Sequence, residues 1–227
     1  RLVTLVGPGG IGKTTLAREA VARSAHEFGE GSLVVDLTKV DSSEGVRESI
    51  AGQLGYSSFR AMIDAPGDRP VLILVDNCEH VVDEVADAVD RLLASCDMPT
   101  VLATSRAALE LPGEAVVLVG PLELPAPGSV HGPAVQLFVD RARDAGAEVE
   151  PNEAVAELCR RLDGVPLAIE LAAARTRSMT PEEILGRLGA GLDILDRPRR
   201  RTTPRHQSLR AAIGWSFDLL DPVQQAL

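Results

Sequence analysis

The chain has 227 residues, of which 45% are hydrophobic, 25% charged and 3% aromatic. This composition predicts a folded core of aliphatic side chains and excludes a disordered segment. The formal net charge of −10 argues against nucleic-acid wrapping as the main task of the chain.

The first half of the sequence alternates predicted strands with predicted helices. Strands separated by helices indicate a parallel sheet with crossover helices, so the fold class is α/β. The predicted strands lie at 2–6, 33–37, 71–75, 100–103 and 116–119, and the predicted helices at 14–25, 43–54 (with Ser43 as N-cap) and 79–94.

The second half changes to helical periodicity after a proline-rich stretch, and its net charge of −1 contrasts with −9 for residues 1–125. Short separations between helices predict a small helical bundle. The predicted helices lie at 134–145, 153–162, 166–175, 181–188 and 209–220. We therefore expect an α/β domain at 1–125, a helical domain at 126–196, and a linker with the start of a further domain at 197–227.

A glycine-rich segment follows the first strand and opens the first helix. It fits the phosphate-binding pattern G-x-x-x-x-G-K-[ST] at every required position. Glycines let several backbone N–H groups point at phosphate, and the helix N-terminus adds positive potential. The residues predicted to bind nucleotide here are Gly7, Pro8, Gly9, Gly10, Ile11, Gly12, Lys13, Thr14 and Thr15, with Lys13 on the phosphates and Thr14 on Mg²⁺.

Two later strands end in polar residues suited to the same site. The apolar run 71–75 ends at Asp76, which is predicted to support Mg²⁺. The strand at 100–103 is followed by Arg106, which could reach the γ-phosphate. A helix-capping Asp76 and a solvated Arg106 are the alternatives.

These motifs, together with Gly164-Val165-Pro166-Leu167, are spaced as in the STAND class of signal-transduction ATPases. The chain resembles the NB-ARC group of that class. Within the group, its motif sequences look most similar to those of bacterial regulators that carry LuxR-type or antibiotic-regulator DNA-binding domains in another part of the protein. The resemblance covers nearly all 227 residues. It implies that the segment at 197–227 begins a winged helix.

The resemblance also implies roles for single residues. Lys13, Asp76 and Arg106 act on the phosphates and their metal, while Pro166 and Leu167 of the helical domain contact the nucleotide. From the sequence alone, Pro166 is equally well explained as the first residue of a helix.

One position departs from the family pattern. A second acid usually follows the aspartate, whereas this chain has Asn77, which cannot accept a proton. The carboxylate of Glu79 and the imidazole of His80 are nearby candidates for the base, although a glutamate at position 79 also suits the first turn of a helix. We therefore expect slow ATP hydrolysis.

The sequence as a whole predicts a cytoplasmic ATP/ADP-binding switch that uses Mg²⁺ and works inside a larger regulator. Its expected partners are nucleotide, the other domains of the same protein and, in the ATP state, further copies of itself. DNA would be contacted only by domains outside this sequence, and no membrane is expected. A constitutively active P-loop ATPase and a direct DNA-binding module, the latter using the arginines at 197–205, are the alternatives.

Overall fold

The computed structural model describes residues 1–28, 31–65 and 70–188. The chain divides into two compact units. The first comprises Arg1–Gly7 and Lys13–Val119; the second comprises Pro8–Gly12 and, within the described chain, residues 120–188. The predicted helix at 209–220, the arginine-rich linker and the start of a winged helix lie outside the described residues.

The first unit is built on one sheet. Its elements in chain order are β1 (Leu2–Val6), α1 (Lys13–Ser24), β2 (Ser32–Asp36), α2 (Ser43–Gln53), α3 (Phe59–Ile63), β3 (Val71–Asp76), α4 (Val82–Ser95), β4 (Pro99–Ser105) and β5 (Glu114–Leu118). Within the described residues, five parallel strands pair in the order β2-β3-β4-β1-β5. The predicted parallel sheet with crossover helices is thus confirmed.

Alternation along the central strands divides the core of this unit between the two faces of the sheet. Ile73 and Val75 of β3 pack in the cluster that contains the apolar residues of α2, α3 and α4. Leu72 and Leu74 pack in a second cluster with Ala17 and Val21 of α1. Because successive side chains of a strand point to opposite faces, an uninterrupted apolar run is what a strand covered on both faces requires.

The second unit is helical. Its helices are α5 (Pro133–Asp144), α6 (Glu153–Arg161), α7 (Pro166–Ala173) and α8 (Pro181–Leu188). They enclose one apolar cluster in which Phe138, Leu158 and Ile169 are fully buried. The predicted helical region is confirmed over these residues.

Two local predictions are wrong. The N-cap of α2 is Ser42, whose side chain accepts a hydrogen bond from the Gly45 amide, and Ser43 is the first helical residue. The helix expected from Glu79 begins only at Val82, because Cys78–His80 form a separate 3₁₀ turn after a left-handed Asn77. Helix α3 was not predicted, since five residues carry too little periodicity to be distinguished from a loop.

Candidate functional site

The carboxyl edge of the sheet brings together the ends of the strands on which the sequence placed polar residues. Strand β4 lies between β1 and β3, so Val6 pairs with Ser105, and Val75 pairs with Ala103. Gly7 stays attached to this edge, where its N–H donates to the carbonyl of Ser105 at 3.3 Å. The glycine-rich segment therefore starts next to the end of β4.

Lys13 begins α1 and is almost completely buried, with 7% of its surface exposed. Its Nζ donates a hydrogen bond to the Gly7 carbonyl at 2.7 Å. Burial lowers the pKa of the Lys13 ammonium, and the positive charge of Arg106 lowers it further, whereas Glu79 and Asp76 raise it. The other three residues predicted to be catalytic thus lie within electrostatic reach of Lys13.

Asp76 ends β3 and is the acceptor for two hydroxyl groups. Its Oδ1 accepts from Thr14 Oγ1 at 2.8 Å and from Thr104 Oγ1 at 2.6 Å. Its Oδ2 is buried and has no hydrogen-bond partner among the described residues, and the Nη2 of Arg18 lies 3.9 Å away. The first hydroxyl belongs to the predicted metal residue Thr14, while Thr104 is a partner that sequence reasoning had not assigned.

Thr14 and Asp76 could together hold a divalent cation. Mg²⁺ prefers oxygen ligands and is commonly bound through one or two protein groups, with phosphate oxygens and waters completing the shell. The paired hydroxyl and carboxylate, with one buried carboxylate oxygen still open, fit that requirement. No cluster of three His, Cys, Asp or Glu side chains suitable for a metal occurs in the described part of the chain.

In the turn after Asp76, the Asn77 side chain contacts the segment that follows β2. Asn77 has a left-handed backbone (φ 66°), and its side-chain amide donates to Thr38 Oγ1 at 3.1 Å, at the end of β2. Glu79 has a buried carboxylate oxygen, Oε2, without a hydrogen-bond partner among the described residues. Of the two carboxylates that raise the pKa of Lys13, Glu79 has a larger effect than Asp76.

The remaining predicted nucleotide contacts belong to the second unit. There the N–H of Leu167, at the start of α7, donates to the Gly10 carbonyl at 3.1 Å. Gly10 has φ +76°, and a Cβ at this position would lie 2.8 Å from the Cβ of Leu167. Ile11 is buried, and a Cβ on Gly12 would stand 3.9 Å from the Pro166 ring.

Like Pro8, Thr15 is exposed. It lies in the first turn of α1, beside the buried Lys13.

Comparison with curated proteins shows relatives that extend beyond this chain. The chain is 40% identical over 237 residues to "Uncharacterized protein Rv0894" of Mycobacterium tuberculosis, a match that covers 100% of the chain and 59% of that protein. It is 41% identical over 241 residues to "Putative HTH-type transcriptional regulator Rv0890c" of the same organism, of which it covers 26%. "Regulatory protein AfsR" of Streptomyces coelicolor is 27% identical over 241 residues, with 97% of the chain and 22% of that protein covered. The chain therefore spans less than two thirds of the length of each of these relatives.

A solved structure, the Walker-type ATPase PABY2304 of Pyrococcus abyssi, superposes with a TM-score of 0.54 at 13% identity, covering 82% of this chain and 65% of that chain. No protein-family model matches the chain. The likeness, with the sheet order and the glycine-rich segment after β1, establishes the α/β fold of P-loop NTPases. Across the described residues, no helix has the length and apolar character needed to cross a bilayer.

Proposed function

We propose that this chain is the nucleotide-binding module of a larger transcriptional regulator and that it switches conformation between an ADP-bound and an ATP-bound state. The observation that carries the proposal is the pairing of Thr14 with the buried Asp76 beside Lys13, at the carboxyl edge of the sheet. In α/β folds this edge is where ligands bind. The resemblance to the STAND class and its NB-ARC group supplies the switch.

Each side chain of the first unit has a distinct task in this proposal. Lys13 leaves the Gly7 carbonyl and binds the β- and γ-phosphates as a point charge. Thr14 and Asp76 hold Mg²⁺, which neutralises charge on the phosphates when it is bound. Arg106, which follows β4, contacts the γ-phosphate and so distinguishes ATP from ADP.

Hydrolysis is slow because the chain lacks the acid that usually follows the aspartate in the resembled family. A positioned base contributes roughly 10²–10⁴-fold to such a reaction. Glu79 is the remaining carboxylate that could take a proton from water, and its partner-free buried oxygen supports that assignment. Slow turnover suits a switch, since the bound state then lasts long enough to be sensed.

The second unit takes part through Pro166 and Leu167. The hydrogen bond from the Leu167 N–H to the Gly10 carbonyl supports a role for the start of α7 beside the glycine-rich segment. A ligand shifts a conformational equilibrium only through contacts that differ between the two states. We infer that Pro166 and Leu167 provide such contacts to the nucleotide.

The link to transcription comes from the relatives. One mycobacterial relative bears the name of an HTH-type transcriptional regulator, and this chain corresponds to 26% of its length. In such a protein the DNA would be bound by another domain, in keeping with the acidic balance of this chain. Self-association in the ATP state belongs to the same proposal.

Calorimetry with the two lysines of the chain tests nucleotide binding. Lys13→Ala removes a charge-assisted hydrogen bond, worth about 1.5–3 kcal/mol, so we expect ADP affinity to fall roughly 10- to 150-fold. Lys39→Ala makes the same change at an exposed position and is the matched control. Equal ADP affinity in both variants and the parent would refute the phosphate-binding role of Lys13.

A further inference from the structure

Asn77 occupies the position at which the resembled family usually has an acid, and its surroundings in the first unit explain the amide. Its backbone is left-handed (φ 66°, ψ 50°), a conformation that asparagine and aspartate tolerate better than most residues. Its N–H donates to Thr104 Oγ1 at 3.0 Å, and that hydroxyl donates to Asp76. The backbone of Asn77 is therefore fixed by the same threonine that orients the proposed metal ligand.

The side chain of Asn77 is fixed by the end of β2. Its Nδ2 donates to Thr38 Oγ1 at 3.1 Å and lies 3.5 Å from Asp36 Oδ1. The hydroxyl of Thr38 in turn donates to Asp36 Oδ1, which also accepts from the Thr38 amide at 2.9 Å. In this series of hydrogen bonds, the Asn77 amide donates to the Thr38 hydroxyl, and the Thr38 hydroxyl donates to the Asp36 carboxylate.

A carboxylate at position 77 would not satisfy this arrangement. The Thr38 hydroxyl has already given its hydrogen to Asp36, so a second acceptor at position 77 would find no donor there. It would also stand close to the Asp36 carboxylate, and like charges at that separation disfavour joint ionisation. The contacts with Thr38 and Asp36 thus favour a donor at position 77.

The same contacts hold the turn that carries Glu79. At the far end of the turn, His80 Nε2 lies 2.8 Å from the Val40 carbonyl, in the loop that follows β2. Asn77 and His80 thus attach both ends of the turn to residues 36–40, with Glu79 between them. We propose that Asn77 is a positioning residue: its amide, bound by Asp36 and Thr38, locks the turn so that Glu79 faces the phosphate site.

This inference rests on the proposed function. It predicts that Asn77→Asp slows hydrolysis, whereas the loss of a base at position 77 would predict that the same change speeds it. If residue 77 faced water at the phosphate, Asn77→Asp would supply a base and speed hydrolysis roughly 10²–10⁴-fold. If Asn77 positions the turn, the same change introduces repulsion from Asp36 and displaces Glu79. A small displacement of a reacting group can cost up to about 10²-fold, so we expect hydrolysis to fall by about 10-fold or more.

Exchanging the two partners supplies the decisive variant. In Asp36→Asn/Asn77→Asp the donor and the acceptor trade places, so the link can re-form, and we expect most of the lost hydrolysis to return. The affinity for Mg-ADP should stay within about twofold of the parent in both variants, because the proposed function assigns no phosphate contact to either residue. Asn152→Asp, the same change at the N-cap of α6, where both residues are good acceptors, is the control that should leave hydrolysis unchanged.

Single-turnover hydrolysis of ATP by these purified variants measures the effect, and urea unfolding of the nucleotide-free proteins measures the same link independently. We expect a lower unfolding midpoint for Asn77→Asp and its recovery in the exchange variant. Hydrolysis by Asn77→Asp at or above the parental rate, or an exchange variant as impaired as Asn77→Asp in both assays, would overturn the proposal. If the parent bound no nucleotide, the proposed function would fail while the unfolding cycle still decided whether Asn77 and Asp36 are linked.

Discussion

At the scale of single residues, the site depends on one carboxylate with two distinct oxygens. Asp76 Oδ1 accepts from the Thr14 and Thr104 hydroxyls, whereas Oδ2 is buried and has no hydrogen-bond partner in the described chain. A buried carboxylate oxygen without a donor costs free energy. The Arg18 guanidinium at 3.9 Å compensates for this only in part, and a metal ion bound directly to the oxygen would compensate more fully. This asymmetry is why we assign the metal to Asp76 and Thr14.

The metal role of Asp76 predicts a difference between two binding reactions. Asp76→Ala should weaken Mg²⁺-dependent ATP binding more than it weakens metal-free ADP binding, because only the first reaction uses the carboxylate as a metal ligand. Titrations of the parent and the variant with and without Mg²⁺ measure both affinities. Equal losses under the two conditions would mean that Asp76 only supports the fold.

Sequence patterns assign roles to residues that have a fixed spacing, but they do not identify residues that meet only through the sheet. Lys13 and Thr14 are adjacent within one motif, and Asp76 ends an apolar strand, so each carries a local signal. Thr38 and Thr104 reach the turn at Asn77 only because β2 and β4 flank β3. The position of Thr104 at the end of an apolar strand could have marked it as a candidate site residue, but this position does not reveal that its hydroxyl binds Asp76.

At the scale of elements, the entry into α7 depends on Gly164. This residue has φ +67°, its carbonyl accepts from the Leu122 N–H at 2.9 Å, and a Cβ on it would lie 2.3 Å from the Leu122 carbonyl oxygen. Both partners belong to the second unit. The glycine thus allows the segment at Leu122 to pack directly against the turn that precedes Pro166.

Alanine substitutions at Gly146 and Gly164, which have similar backbone angles, distinguish the cost of a steric clash from the cost of a left-handed backbone. Gly146 has φ +84° and no atom within 4 Å of a built Cβ, so Gly146→Ala should destabilise the protein by about 1–2 kcal/mol through the left-handed backbone alone. Gly164→Ala adds overpacking against backbone, which costs about 1–3 kcal/mol more. Urea unfolding of both variants measures the difference, and equal losses would show that Leu122 moves aside freely.

The sequence predicts the bounds of an element well where its hydrophobic pattern is regular. It predicts them poorly where a hydrogen bond to another element determines where a helix begins. β1 and α8 have their predicted bounds. The start of α4 was missed because the left-handed Asn77 and the contact of His80 with Val40 interrupt a sequence that is amphipathic throughout. Such tertiary contacts leave no trace in the periodicity of the chain.

At the scale of the whole molecule, the proposed switch requires nucleotide to act on both units. The composition and motif order predicted an α/β unit followed by a helical one, and both are present. What the sequence could not supply is the hydrogen bond between Leu167 and Gly10, which places residues 8–12 with the helical unit. The central claim is that nucleotide bound to the glycine-rich segment is felt by α7.

Hydrogen-exchange mass spectrometry with and without Mg-ADP tests that claim most directly. We predict slower exchange for amides of residues 7–14 and also for those of residues 165–171, together with a higher melting temperature, because a ligand that binds the folded state stabilises it by mass action. Pro166→Ala should retain the first protection and lose the second. Protection confined to residues before Pro121 in the parent would contradict the switch.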